Sequence, residues 1–203
     1  TNLSGVDLSG KDLTGTNLNN VDLSGKDLSG TILNGAYLVE SDFSNIDLSK
    51  TEMKSMILSS SIISNTNFAN SDLMGAAIEK IDLSNVDFSN SDLSKAVFHD
   101  TTLTNANLSK TKLEDTFFAN SIMQKVNLKN TDLNKTAFES VNLKNADFTG
   151  ANLNGATFRN VILENADFTG ANLNGAIFEL VQIKGIIVDC DISLDSKSKV
   201  SCE

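Results

Sequence analysis

Proline and tryptophan are absent from the 203 residues, and histidine and tyrosine occur once each. A chain without proline keeps every backbone N–H, which suits a structure that uses nearly all of them in hydrogen bonds. One histidine and two cysteines leave almost nothing for a histidine–cysteine zinc site or a redox pair. Basic residues are scarce too: 16 Lys and Arg against 26 Asp and Glu give a net charge of −10 and a pI near 4.5. That balance argues against direct binding of nucleic acid through its phosphates, which needs clustered cations. No apolar run approaches the roughly 18 residues of a membrane-spanning helix. The chain opens with neither a signal-peptide pattern nor an initiator Met, so the sequence is expected to start after processing or to be cut from something longer. With 40% apolar and 21% charged residues, it can build a core and falls outside the usual disordered class.

What is present is a repeat of five. Stepping from Leu3 to Val188 in fives meets 38 residues, all apolar: 22 Leu, 10 Phe, 3 Ile, 2 Met and 1 Val. A period of five is neither helical nor that of a strand. Around each of these centres the other positions are as orderly. Two before it stand small or β-branched residues, with Met56, Lys11 and Lys26 as exceptions. One before it, 21 of 38 are Asp or Asn. Two after it fall all 12 Gly together with 12 Asn, the residues that accept positive φ most cheaply. Each pentapeptide is therefore expected to hold a turn whose third residue is left-handed, the type II requirement.

Four such turns close a square of 20 residues, and the sequence supports that number independently: NADFTGANLNGA at 145–156 recurs unchanged at 165–176. Stacking coils at the ~4.8 Å strand spacing predicts a rod of roughly 9.5 coils and 45 Å. The expected fold is an all-β, four-sided solenoid over residues 1–188, with centres and small residues inside and a C-terminal cap or tail at 189–203.

The units ADFTG at 146–150, ANLNG at 151–155 and VDLSG at 6–10 resemble those of the pentapeptide-repeat family, and the resemblance runs through residues 1–188 without a slip of phase. It implies a right-handed quadrilateral β-helix. It does not imply one function. Similar members include quinolone-resistance proteins that act on DNA gyrase as duplex mimics and tend to dimerise through their C-terminal coils, as well as effector proteins of pathogens. No loop interrupts the repeat here, so loop-based activity does not carry over.

Sorting centres 20 apart onto four sides exposes an asymmetry. On one side the position before the centre reads Asn17, Tyr37, Ile57, Ala77, Val97, Phe117, Ala137, Thr157 and Ile177. Asp is missing from it altogether. Two readings stand. This is an apolar stripe for binding or self-association, anchored by Tyr37, Ile57, Val97, Phe117 and Ile177; or this side has a different turn that tucks the side chain away. A second feature is an acidic ladder, Asp7, Asp27, Asp47, Asp87, Asp147 and Asp167, interleaved with Asn. Residues 1–100 carry 14 acidic and 6 basic groups, while 101–203 carry 12 and 10. The ladder reads either as a negative recognition strip or as turn-closing Asp that also solubilises the rod. Lys11 and Lys26 occupy inward positions, where their stems are expected to snorkel out of the open first coils.

At the C-terminus, Ile186, Ile187, Ile192 and Leu194 are expected to cap the last coil or form a dimer seam, since a solenoid must blunt its edges. Cys190 and Cys202 are either a disulfide, which would place the chain in an exported or lumenal compartment, or two free thiols of a cytoplasmic one, the compartment slightly favoured. Catalysis would have to use His99 beside Asp100 on a convex rod that offers no deep pocket. A stacked-Asp calcium site lacks known loop spacing, and the sequons at Asn2, Asn107 and Asn134 follow from the Asn and Ser content. The expected function is non-enzymatic, without cofactor or metal and without nucleic-acid or membrane binding: a rigid rod that binds protein partners or itself, a homodimer through the C-terminal end being one arrangement. The alternative is a duplex-mimic inhibitor or protector of DNA gyrase or topoisomerase.

Overall fold

The structure is a computed structural model and describes residues 6–189. Among the described residues, eight three-residue strands run parallel in one sheet: β1 (Tyr37–Val39), β2 (Ile57–Ser59), β3 (Ala77–Glu79), β4 (Val97–His99), β5 (Phe117–Ala119), β6 (Ala137–Glu139), β7 (Thr157–Arg159) and β8 (Ile177–Glu179). Each pairs only with the strand 20 residues before or after it, as in Tyr37↔Ile57 and Phe117↔Ala137. The other three sides show the same stacking as single bridges, among them Asp22↔Asp42, Asp47↔Asn67 and Asp72↔Asp92. Residues 20 apart therefore sit above one another on every side, and no described residue is helical. The continuous sheet makes about seven turns, fewer than the 9.5 coils expected from spacing. The difference lies at the ends of this side: Asn17 joins Tyr37 by a single bridge instead of a strand pair, and no strand follows β8 among the described residues.

The turns explain the Gly and Asn column. Every described residue two after a centre has φ near +60°, from Gly10 (+63°) through Asn120 (+50°) to Gly185 (+69°). On three sides an i→i+3 backbone bond accompanies it, as from Lys11 N–H to Leu8 O at 3.1 Å and from Ala76 N–H to Leu73 O at 3.0 Å. That is the expected type II pattern. The side carrying β1–β8 departs from it. No described corner there closes an i→i+3 bond; instead Ser41 N–H donates to Ser61 Oγ at 3.0 Å and Thr101 N–H to Ser121 Oγ at 3.2 Å, both one coil on. Ser61 Oγ in turn donates to Leu38 O at 2.8 Å.

Inside, the centres are sealed from solvent, Leu23 through Leu163 showing almost no exposure. Phenylalanines stack on their own kind along two opposite sides. One column runs Phe98, Phe118, Phe138, Phe158 and Phe178 with ring centroids 4.7, 5.2, 4.9 and 4.7 Å apart. The other holds Phe68 on Phe88 and Phe148 on Phe168. The columns meet edge to face across the core, as at Phe138–Phe148, 6.4 Å and 88°. Both geometries are favoured by the ring quadrupole. Buried hydroxyls two before the centres reach carbonyls, Thr116 Oγ1 to Leu93 O at 2.8 Å and Thr136 Oγ1 to Leu113 O at 2.6 Å, so no buried side-chain polar atom among the described residues lacks a partner. Lys26 solves its inward position by reaching the Val6 carbonyl at 3.4 Å, and Lys11 is exposed.

Two substitutions probe this architecture. Phe118→Ala removes the second ring of a five-ring stack and is expected to cost about 3–5 kcal/mol, seen as a large drop in melting temperature. Leu180 holds φ +56° while 80% exposed, a conformation unfavourable to a branched side chain and without packing return. Leu180→Asn is expected to stabilise by about 0.5–1 kcal/mol in denaturant unfolding.

Candidate protein-interaction face

Two surfaces follow from the sequence asymmetries, and each has a local cause. Where Asp or Asn precedes the centre, its side chain closes the next turn. Asp12 Oδ1 accepts the Thr14 N–H at 3.0 Å, Asp87 Oδ1 that of Ser89 at 2.8 Å, and Asn152 Oδ1 that of Asn154 at 3.3 Å. This Asx bond caps an N–H that a bridge-only side leaves open. On the β1–β8 side the three residues run as strand, and ladder pairing takes over that task. Below β1, where no strand lies, Asn19 Oδ1 accepts the Val39 N–H at 2.9 Å instead. The absence of Asp from this side therefore has a backbone cause, and the position before the centre is free to carry apolar groups.

Those groups form a continuous column: Tyr37, Ile57, Ala77, Val97, Phe117, Ala137, Thr157 and Ile177 stand in register on β1–β8. Tyr37, Val97 and Ile177 remain 46%, 38% and 41% exposed, and Ile57 and Phe117 are half-buried. The different turn is present, and it leaves the side chains reachable. Beside this column, the residue after the centre reads Glu79, His99, Ala119, Glu139, Arg159 and Glu179. Within it Arg159 Nε pairs with Glu179 Oε2 at 3.1 Å. His99 lies 3.2 Å from Asp100 Oδ2 and 3.3 Å from Asn120 Nδ2.

The acidic ladder stacks as drawn from the spacing, Asp47↔Asn67↔Asp87↔Asn107↔Asn127↔Asp147↔Asp167, with Asp7 and Asp27 exposed at its N-terminal end. Its carboxylates are engaged. Asp47 Oδ1 accepts Ser49 N–H at 3.0 Å and Asn67 Nδ2 at 3.1 Å, and Asp167 Oδ1 accepts Thr169 N–H at 2.9 Å. The Ser9 hydroxyl and N–H hold Asp7 below the ordinary 3.8, the Ser29 N–H and hydroxyl do so for Asp27, and the Ser49 N–H and hydroxyl for Asp47. Burial opposes ionisation of Asp147, but the Thr149 hydroxyl, Lys129 and the Thr149 N–H outweigh it and the net shift is downward. Lys129 sits 2.9 Å from that carboxylate.

At the C-terminal end, Ile186 and Ile187 belong to the last coil: Ile187 N–H donates to Ala166 O at 2.9 Å, its side chain is exposed, and Ile186 packs on the core. Ile192, Leu194, Cys190 and Cys202 lie outside the described residues. The sequence reading did not single out Ile62 and Ile122, exposed apolar residues on the neighbouring side, nor the ion pairs Lys54–Asp72 and Lys144–Glu164. Both were visible only as departures from the Asp/Asn rule or as charges 18–20 apart. Among the described residues no group of three or more His, Cys, Asp or Glu could hold a metal ion, and no helix is long and apolar enough to cross a membrane.

Family profiles described as pentapeptide repeat region match residues 61–138 and 111–187, and those described as pentapeptide repeats (8 copies) match 1–35 and 32–75. Among solved structures, the chain is similar to HetL of the cyanobacterium Nostoc sp. strain PCC 7120, a pentapeptide repeat protein involved in heterocyst differentiation regulation (TM-score 0.53, 22% identity, 90% of this chain and 92% of that one). Weaker likenesses are Rfr23 of the cyanobacterium Cyanothece 51142 (0.45, 23%, 58% and 91%) and full-length QnrB1, a plasmid-mediated fluoroquinolone resistance protein (0.35, 19%, 93% and 91%). No curated protein is significantly similar in sequence.

The lowered carboxylates carry a pH signature. Their contribution to stability is complete above the unfolded value of 3.8 and is lost as pH falls through the lower folded values. The melting temperature is expected to be flat from about pH 8 to 5 and to fall below about pH 4. Asp27→Asn with Asp47→Asn keeps an acceptor for the turn without titrating, so the acid-limb drop should shrink while stability at pH 7 changes little; circular dichroism melts across pH read both.

Proposed function

The chain belongs to the pentapeptide-repeat family, and on that footing we propose that it is a non-enzymatic rod that recognises protein surfaces, its own included, through the β1–β8 side. The observation that carries this reading is the apolar column from Tyr37 to Ile177, eight rungs in strict register and partly exposed along its length. A rigid ladder loses little conformational freedom on binding, and apolar anchors at fixed spacing are the material of interface hot spots. Charged residues border the column on one flank, which is the arrangement of an apolar centre with a polar rim.

The duplex-mimic reading is weaker. Duplex DNA carries a charge per about 1.7 Å, while carboxylates in the Asp column are separated by Asn rungs, as Asp47 and Asp87 are by Asn67. Several are occupied with turn N–H groups or with Lys129.

Phe117→Asp and Ile57→Asp are expected to leave the circular dichroism spectrum intact and to weaken protein association by at least about tenfold, measured by sedimentation for self-association and by proximity labelling in the host for other partners. If both variants retain every association of the parent, the reading fails. A supercoiling assay tests the alternative: gyrase inhibition or drug protection at micromolar protein would replace the rod reading with the mimic.

A further inference from the structure

We infer that two copies of this chain pair through the β1–β8 side as antiparallel rods, with a two-fold axis that runs along the strands over Phe117. This rests on the reading above and names the chain itself as the partner. A self-complementary pairing of a flat ladder has two axes available in the interface. An axis along the rod and over the centres lays each residue before the centre over the residue after it on the same rung, Ala77 on Glu79, Ala137 on Glu139, Ile177 on Glu179; moved over the apolar column, it leaves the charged column of each copy outside the three-residue strip of the other. The first placement buries carboxylates against apolar groups without partners, which is costly. An axis along the strands keeps every column facing itself and reverses the order of rungs, so the apolar column meets its own copy.

The charged column then selects one register. Centred on β5, Glu79 faces the second copy's Arg159, His99 faces Glu139, Ser59 faces Glu179, and Ala119 faces Ala119. In the same register Phe117 meets Phe117, Val97 meets Ala137, Ala77 meets Thr157 and Ile57 meets Ile177. Displaced by one rung in one direction, Glu79 faces Glu139. Displaced the other way, Glu79 faces Glu179 and His99 faces Arg159. Two-fold symmetry doubles each contact, so the β5 register gains two Glu79–Arg159 pairs where its neighbours place like charges together. Like-charge juxtaposition is how interfaces reject wrong arrangements. Within the chain only Nε of Arg159 is bonded to Glu179, and a guanidinium has five N–H donors, so a second carboxylate can be taken. The next column agrees: Lys80 faces Asn160, and Asp100 faces Ser140. The antiparallel order also sets the more acidic N-terminal half, 14 acidic against 6 basic, opposite the C-terminal half with 12 against 10.

Seven rungs of three residues give a footprint of roughly 300 Å² per copy, below the roughly 1,000 Å² in total of a stable interface, so the pairing is a weak, transient one. A reversible equilibrium is therefore expected, with half-association at tens to hundreds of micromolar, roughly.

Sedimentation velocity from about 10 µM to about 1 mM tests this on the full chain. A rise from monomer to dimer is expected, abolished by Phe117→Asp. Glu79→Arg and Arg159→Glu alone should each weaken the dimer about tenfold, and the two together should restore it. In a chain with Cys190→Ser and Cys202→Ser, Phe117→Cys should cross-link to its own copy on oxidation while Tyr37→Cys does not; circular dichroism verifies that each variant is folded. A monomer throughout the range, a dimer indifferent to Phe117→Asp, or a charge swap that restores nothing overturns the pairing. A monomeric parent whose binding of another protein is lost in Phe117→Asp overturns only this inference; if Phe117→Asp alters no association of any kind, the interaction-face reading falls as well.

Discussion

Each coil of this protein is held by backbone hydrogen bonds to the coil before and after it, and those bonds form only if the chain returns to the same place every 20 residues. The bond from Leu33 N–H to Glu52 O at 2.7 Å and that from Ile32 N–H to Lys11 O at 3.0 Å are one instance of a pattern repeated along the rod. A return of this kind needs four corners, and each corner needs one residue with positive φ. The cost of that conformation is lowest for Gly and Asn, which is why the column two after the centre is so restricted. Where Lys or Leu stands there instead, as at Lys95 (+62°) or Leu180 (+56°), the ladder imposes the conformation on a residue that disfavours it.

The same constraint explains why the core is made of columns. With coils stacked in register, a side chain meets its own equivalent above and below, so identical residues pack as a stack. Phenylalanine profits most, since offset stacking along the axis and edge contacts across it are both available at the spacing the backbone sets. Small hydroxyl residues can share the interior because the carbonyls near each corner accept their protons, as Leu108 O does from Thr131 Oγ1 at 2.9 Å.

Function has to be expressed on what remains, the outward positions. Three sides spend many of theirs on Asp and Asn that cap turns, with Ile62, Ile122 and Ile162 as exceptions on one of them, so much of the negative charge is structural in origin even though it faces solvent. The fourth side is released from that duty by regular strand pairing, and it is the side on which apolar residues collect. A difference in hydrogen bonding at a corner, Ser41 N–H to Ser61 Oγ in place of a turn bond, thus separates the sides of capped turns from the side that carries the apolar column.

Much of this was legible beforehand. The five-residue spacing of Leu and Phe, the Gly and Asn column and the repeat of NADFTGANLNGA at a shift of 20 determine the four-sided solenoid, since a period of five is incompatible with helix or flat strand and each residue type has one position that suits it. The missing Asp on the side of Tyr37 to Ile177 was also visible, and a different turn was one of its two readings, but the bond that makes the turn different was not. Spacing cannot say whether a corner closes on itself or passes its N–H to the next coil, nor that coils at the ends join by single bridges, because both depend on how neighbouring coils settle against each other. The pairing of Lys129 with Asp147 and of Arg159 with Glu179, which decides how much of the charge is free, likewise exists only once residues 18–20 apart are brought side by side.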